Sequence, residues 1–220
     1  MSLVDLLPPL LDGLWLTLVV FAGGAVVATI CALLAGLGRD SRDPIVRTLA
    51  IVYIEVFRGT SALVQLFWFY FAMPILLGIQ LRAVTAGILV LGLNIGAYGA
   101  IVVRAAIQSV PRGQVMAATA LGMTHAQAMR YVVLPQALRI MLPPFGNLLI
   151  ELLKSTALVS MITVTDLTRA GLFLRDDTLQ TVKIFSLLLV IYFGLSSLIT
   201  LAVRHTERRL QRNLGLEVRR

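Results

Sequence analysis

The chain has 220 residues, of which 58% are hydrophobic and only 14% are charged. Soluble globular domains are about 45–50% apolar and about 25% charged, so the composition excludes a soluble domain and predicts a single all-α integral membrane domain. The net charge of +8 does not indicate nucleic-acid binding, because no basic residue precedes Arg39 and six arginines fall in the tail at 204–220.

Five apolar segments are long enough, at about 20 residues each, to cross a bilayer core of about 30 Å. They lie at about residues 14–38, 61–79, 83–103, 140–164 and 183–203. The apolar stretch from Ile45 to Phe57 is too short to cross. We expect it to lie at the membrane interface or to lead into the second span. Residues 166–181 are polar and are expected to connect the last two spans outside the cell.

The arginines predict the orientation of the chain. Cytoplasmic segments of membrane proteins carry an excess of Lys and Arg, and here the arginines concentrate in residues 104–139 and in the tail at 204–220. Five crossings then place the N-terminus outside and the C-terminus in the cytoplasm. We interpret the basic tail as a topology determinant that contacts lipid headgroups.

The segment at 112–135 is moderately polar and predicts two short helices outside the bilayer. Gly122 permits a turn between them, and a second helical run extends from His125 to Val133. Pro135 is expected to stop that helix or to set its angle to the fourth span. From composition alone, the segment could equally be a solvated connector.

The spacing within this segment favours the first interpretation. Ala117-Ala118, Gly122 and then Leu134-Pro135 resemble the cytoplasmic coupling loop of permease subunits in binding-protein-dependent ATP-binding-cassette (ABC) importers. The similarity covers residues 14–210. Residues 53–65, 94–114 and 152–160 resemble the polar amino-acid branch, the permeases of histidine, glutamine and glutamate type.

The resemblance implies a type I ABC importer permease, with about five transmembrane helices and a cytoplasmic two-helix coupling loop. Its substrates would be polar amino acids or similar small zwitterions. The residues implied in ATPase coupling are Ala117, Ala118, Gly122, Leu134 and Pro135. Small alanine side chains there would allow a partner surface to approach closely.

The partners implied are an ABC ATPase dimer, a second permease that is the same or homologous, and an extracytoplasmic solute-binding protein. ATP and Mg would bind to the ATPase. We expect no cofactor on this chain and no enzymatic activity of its own, because it has no G-x-x-x-x-G-K-[S/T] phosphate loop. No metal site is expected either, since His125 and His205 lie in different segments.

Three positions depart from the family pattern. Met116 stands where the coupling loop of the family has a Glu, which removes any salt bridge that this carboxylate makes to the ATPase. Ile101 stands where the third span often has a Glu, and Ser61 replaces a Pro. A second, non-identical permease could supply the missing charge.

Charges within the fourth span predict a substrate path. Isolated charges at membrane depth cost about 2.5–3.5 kcal/mol each and usually face protein or a wet cavity. Asn147, Glu151 and Lys154 share one helix face, where a carboxylate and an ammonium suit a zwitterion. Alternatively, Glu151 and Lys154 form an intrahelical ion pair that stabilises packing.

Polar and small residues of the third span also have two interpretations. Asn94 and Tyr98 project together and either line the same cavity or hydrogen-bond neighbouring helices. Gly92 and Gly96 form a GxxxG step, which favours close helix packing over chemistry.

Three alternatives to an amino-acid importer remain open. A permease of the same class could carry a compatible solute such as ectoine, or an opine. A self-contained secondary transporter is disfavoured because no inverted repeat is detectable. A membrane scaffold without a transport role would tolerate loss of Glu151 and Asn94.

Overall fold

The computed structural model describes residues 3–212, and within that range the regular secondary structure is helical. In chain order the helices are α1 (Leu3–Gly38), α2 (Pro44–Gly59), α3 (Ala62–Leu77), α4 (Ala83–Gln108), α5 (Arg112–Ala120), α6 (His125–Ile162), α7 (Leu167–Thr178) and α8 (Thr181–Arg212). Among the described residues, α1, α4, α6 and α8 are long and apolar enough to cross a membrane, and α2 with α3 can form a fifth, bent span. The predicted all-α membrane fold is confirmed.

The predicted second span at residues 61–79 contains α3, and α2 precedes it at a sharp bend. α2 begins at Pro44, where the carboxylate of Asp43 accepts a hydrogen bond from the Ile45 amide at 2.8 Å. It ends at Gly59, because Thr60 adopts an extended conformation, and α3 departs at an angle of 104°. If the two helices form one span, the crossing is a bent pair starting at Pro44, and the apolar stretch before Arg58 leads into it.

Pro135 does not stop the second helix of the loop, which was one of its two predicted roles. A π-helical turn at Met129–Val133 precedes it, and the Leu134 amide donates to the carbonyl of Met129. Proline lacks an amide donor and its ring clashes with the carbonyl four residues earlier, so a wider turn accommodates it without ending the helix. α3 passes Pro74 in the same way, after a π turn at Trp68–Ala72.

The other helices extend beyond the residues predicted to cross the membrane. The fourth span was expected at 140–164, but α6 runs unbroken over 38 residues and ends in a 3₁₀ segment at Thr156–Ile162. α4 continues past 103 to Gln108, and α8 continues past 203 to Arg212. The first part of the basic tail is thus helical, while residues 213–220 lie outside the described residues.

The predicted polar connector at 166–181 contains a helix with a buried face. Leu167, Ala170, Gly171 and Leu174 of α7 are buried, and α7 packs against α1 and α8. The amide of Leu167 donates to Thr17 of α1 at 3.0 Å. The connector is therefore polar on one side only, because apolar residues at positions i, i+3, i+4 and i+7 of α7 form a stripe that packs against a partner.

Asp166 caps the start of α7 from a fully buried position. Burial raises the pKa of its carboxyl, and the amides of Arg169 and Thr168 offset part of this effect by donating hydrogen bonds to it. A carboxyl with a raised folded-state pKa binds protons more tightly when folded. Its contribution to stability is therefore greatest below the unfolded pKa and falls as pH rises through the folded pKa.

We expect Asp166→Asn to be at least as stable as the unsubstituted protein at neutral pH, because Asn also caps helices but carries no buried charge. Asp166→Ala should lose about 1 kcal/mol, since it removes the cap. Unfolding in mixed detergent micelles at acidic and neutral pH measures both, and the Asn variant should show less pH dependence. An Asn variant less stable than the Ala variant would contradict the capping role.

Glycines allow α1 and α4 to approach closely. A Cβ added at Gly92 would lie 2.6 Å from Cβ of Val27, and one added at Gly96 would lie 2.8 Å from Cβ of Cys31. Both neighbours belong to α1, with which α4 makes the most extensive helix contact in the described range. The GxxxG step therefore packs helices closely, as predicted.

We expect Gly92→Ala to destabilise the protein by about 1–3 kcal/mol, because the added methyl overpacks the contact with Val27. The matched control is Gly194→Ala in α8, where an added Cβ meets no atom within 4 Å. Detergent-induced unfolding of the two variants gives the comparison. Equal stabilities would mean that α1 and α4 do not touch at this glycine.

Candidate functional site

In the loop, α5 and the start of α6 are separated by a turn at Gly122. This residue has a φ of +79°, the left-handed conformation that glycine adopts without strain. The amide of Met123 donates to the Ala118 carbonyl at 3.1 Å, and that of Gly122 donates to the Thr119 carbonyl at 3.0 Å. These two bonds form a Schellman motif. The predicted turn is confirmed.

A capping box starts the second helix. The amide of Gln127 donates to the Thr124 hydroxyl at 3.3 Å, and the Thr124 amide donates to the Gln127 side chain at 2.8 Å. A Thr followed three residues later by a Gln is a recognisable helix start in the sequence, so this helix end could have been predicted from Thr124 and Gln127. The turn is therefore fixed on both sides.

The predicted coupling residues differ in their exposure. Ala117, Gly122 and Pro135 are exposed, Leu134 is half-buried, and Ala118 is only 3% exposed. Ala118 lies on α5, which packs against the start of α6, so its small side chain serves contact within the loop. Three large apolar side chains of the loop are exposed, namely those of Met116, Leu121 and Tyr131. These side chains form the apolar part of the loop's exposed surface.

A charged pocket lies on the exposed face of α6. Asn147, Glu151 and Lys154 line it together with Ile150, and its volume is about 360 Å³. The three polar residues thus share one face, as their spacing predicted. Among the described residues, no ion pair joins Glu151 to Lys154. Both side chains are exposed and point their opposite charges into the same pocket without neutralising each other.

Asn94 and Tyr98 lie elsewhere, at the bend between α2 and α3. The Asn94 side-chain amide donates to the Phe57 carbonyl at 2.8 Å and to Oε1 of Gln65 at 3.2 Å. The Tyr98 hydroxyl donates to the Arg58 carbonyl at 3.4 Å. These bonds satisfy the carbonyl groups that the end of α2 leaves without helical partners.

Gln65 completes this cluster. Its Nε2 donates to the Phe57 carbonyl at 2.9 Å and to the Thr60 hydroxyl at 2.6 Å. Asn94 and Gln65 are both buried, so the cluster fixes the bend from inside the protein. The structure therefore groups Asn147, Glu151 and Lys154 in one pocket, and Asn94 and Tyr98 in a separate cluster. A place for Asn94 and Tyr98 in the substrate path stays a prediction.

Comparisons with known proteins identify relatives of the whole chain. The chain is 44% identical over 216 residues to the "Probable amino-acid ABC transporter permease protein y4tF" of Sinorhizobium fredii (strain NBRC 101917 / NGR234), covering 96% of this chain and 91% of that protein. It is 36% identical over 210 residues to the glutamine transport system permease protein GlnP of Escherichia coli (strain K12), covering 93% and 94% of the two chains.

A solved structure and a family model extend the comparison to the fold. The structure described as "Crystal structure of an amino acid ABC transporter with histidines" matches with a TM-score of 0.87 and 38% identity, over 94% of this chain and 97% of that one. The predicted importer-permease architecture is confirmed. The family model described as "Binding-protein-dependent transport system inner membrane component" matches residues 24–212. The chain is therefore a member of this family of multi-pass inner membrane transport components.

Proposed function

We propose that this chain is the membrane-spanning subunit of an ATP-driven importer for polar amino acids or similar small zwitterions. The relatives named as amino-acid and glutamine permeases support this proposal, because their similarity covers more than nine-tenths of the chain. The observation that carries it is the loop at 112–135, in which two capped helices present exposed apolar side chains beyond the membrane spans.

The loop is the contact with a separate ABC ATPase. Met116, Leu121 and Tyr131 are 67%, 79% and 64% exposed, respectively. Several exposed apolar side chains on one polar segment are typical of a protein-binding surface. Closure of an ATPase dimer would push on α5 and the start of α6. Because Pro135 does not interrupt α6, the push would reach the membrane through one continuous helix, whose π turn at Met129–Val133 and prolines Pro143 and Pro144 are the places where it can bend.

The pocket at Glu151 and Lys154 is the contact with the substrate. The Glu151 carboxylate forms no ion pair with any of the residues that the structure describes, so it suits a substrate ammonium group, and the nearby Lys154 ammonium suits a substrate carboxylate. Both ends of a zwitterion are then recognised on a single helix face. A second permease, the same or homologous, would close the path opposite this face, and a solute-binding protein would deliver the substrate.

The orientation that suits these roles has the N-terminus outside and the C-terminus in the cytoplasm. The positive-inside rule supports it. The ion pair between Arg104 and Asp40, with Nε and Oδ1 2.9 Å apart, joins the residues after α1 to the last turns of α4, so these two ends share one membrane surface in either orientation.

Reconstitution into proteoliposomes tests the proposal. The chain would be combined with its ATPase, its second permease and its binding protein, and uptake of labelled amino acids would be followed with and without ATP. We expect uptake only with ATP and with all components. Uptake driven by an ion gradient without the ATPase would establish a secondary transporter instead, and stronger competition by ectoine than by amino acids would reassign the substrate.

A further inference from the structure

A cationic pocket lies where α1, α2 and α4 meet at one end of the membrane spans. The residues that line it are Arg39, Asp40, Ser41, Arg47, Ile51 and Arg104, and its volume is about 520 Å³. The apolar part of α1 ends at Gly38 and α2 begins at Pro44. The pocket therefore opens where hydrocarbon gives way to water, which is the level of the lipid headgroups.

The charges in this pocket are unbalanced. Three arginines and one aspartate give its lining a formal charge of +2. The aspartate, Asp40, already accepts a hydrogen bond from Nε of Arg104 at 2.9 Å. Arg39 and Arg47 form no side-chain hydrogen bond or ion pair with any residue in the range 3–212. Their two guanidinium groups, each able to bind a phosphate through paired N–H donors, are left available for an anion.

The surface next to the arginines is apolar. Ile51 lies one turn beyond Arg47 along α2, lines the pocket and is 36% exposed. Leu37, near the end of α1 and two residues before Arg39, is outside the pocket lining and is 40% exposed. A soluble anion gains nothing from such neighbours. A lipid binds favourably to both the arginines and the apolar side chains, because its phosphate contacts the former while its acyl chains lie along the latter.

We propose that this pocket binds the phosphate group of an anionic membrane lipid between Arg39 and Arg47. The lipid occupies the surface of α1 and α2 near their connecting turn. Its binding is independent of the substrate and of the proposed transport function, because no residue of the pocket lines the site at Glu151.

Lipid binding to the full chain in a non-ionic detergent tests this assignment. The probes are short-chain phosphatidylglycerol, short-chain phosphatidylcholine and inorganic phosphate, and native mass spectrometry measures the occupancy. The variants are Arg39→Gln and Arg47→Gln. The matched control is Arg42→Gln, because Arg42 lies in the same turn, is exposed and does not line the pocket.

We expect phosphatidylglycerol to bind in preference to phosphatidylcholine, and each pocket variant to weaken it by at least about tenfold, since each removes a charge-assisted hydrogen-bond donor. Arg42→Gln should leave the affinity unchanged. Thermal unfolding supplies a second readout: the shift caused by phosphatidylglycerol should be lost in the pocket variants only.

Four results would overturn the proposal. Equal weakening by Arg42→Gln would reveal a general charge effect. Equal binding of phosphatidylcholine would remove the requirement for an anionic lipid, and displacement by inorganic phosphate at matching concentration would identify a free-anion site. Expulsion of the lipid when the ATPase assembles, with cross-linking of Arg47→Cys to an acidic segment of the ATPase, would assign the pocket to a protein partner.

Discussion

Ala117→Arg should reduce ATP-driven uptake by about thirtyfold while leaving the folded chain intact. Ala117 is exposed on α5 beside the exposed apolar side chains of the loop, so an arginine there alters the docking surface without entering the protein core. A disrupted contact at the centre of an interface costs about 2 kcal/mol, which corresponds to a roughly thirtyfold weaker complex. Uptake and ATPase copurification should decline together.

The control for this variant is Thr206→Arg. Thr206 is also an exposed helical residue, but it lies in α8 outside the loop, beyond the predicted span and among the charged residues of the tail. Its uptake and its copurification with the ATPase should match those of the unsubstituted protein. Full coupling in Ala117→Arg would mean that the ATPase does not approach α5 at this residue, and the proposed contact would then have to be abandoned.

Glu151→Gln should raise the substrate concentration needed for half-maximal uptake by at least about tenfold. The substitution preserves size but removes the negative charge from the pocket formed by Asn147, Glu151 and Lys154. A hydrogen bond to a charged group contributes about 1.5–3 kcal/mol, so losing the partner of a substrate ammonium has an effect of this size. Initial rates of uptake over a range of substrate concentrations measure it.

Asp177→Asn provides the matched control, since Asp177 is an exposed carboxylate near the end of α7 and does not line this pocket. Its half-maximal concentration should be unchanged. Lys154→Gln offers a complementary readout, because it should weaken a zwitterion but spare an analogue that lacks the carboxylate. Unaltered kinetics in both Glu151→Gln and Lys154→Gln would place the substrate path on another face.

Local rules predicted the features that depend on neighbouring residues. Apolar length located the principal membrane helices, and a glycine between two helical runs located the turn at Gly122. The elements that were missed depend on packing between distant segments. α7 has the composition of a connector, and only its contacts with α1 and α8 show that its apolar stripe is buried. Likewise, Pro135 can end a helix or be absorbed by a π turn, and sequence alone favours neither.

In the candidate site, too, helical spacing predicted which residues share a face but not which neighbouring segment they contact. Helical spacing placed Asn147, Glu151 and Lys154 on one face, and the pocket confirms that arrangement. The same rule placed Asn94 beside Tyr98, but it did not reveal that they face the bend between α2 and α3. That placement follows from how α4 packs against another span, and no periodicity within α4 contains it.

The unbroken course of α6 has a mechanical consequence. At an ideal rise of 1.5 Å per residue, the path along α6 from His125 to Glu151 is about 39 Å long, and it includes the π turn at Met129–Val133 and the prolines Pro143 and Pro144. If the ATPase docks on the loop as proposed, a displacement of the first turns of α6 would be carried along the same helix to Glu151, with the π turn and the two prolines as its points of bending. Nucleotide turnover and cargo release would then be synchronised by geometry rather than by a relay of rearranging side chains.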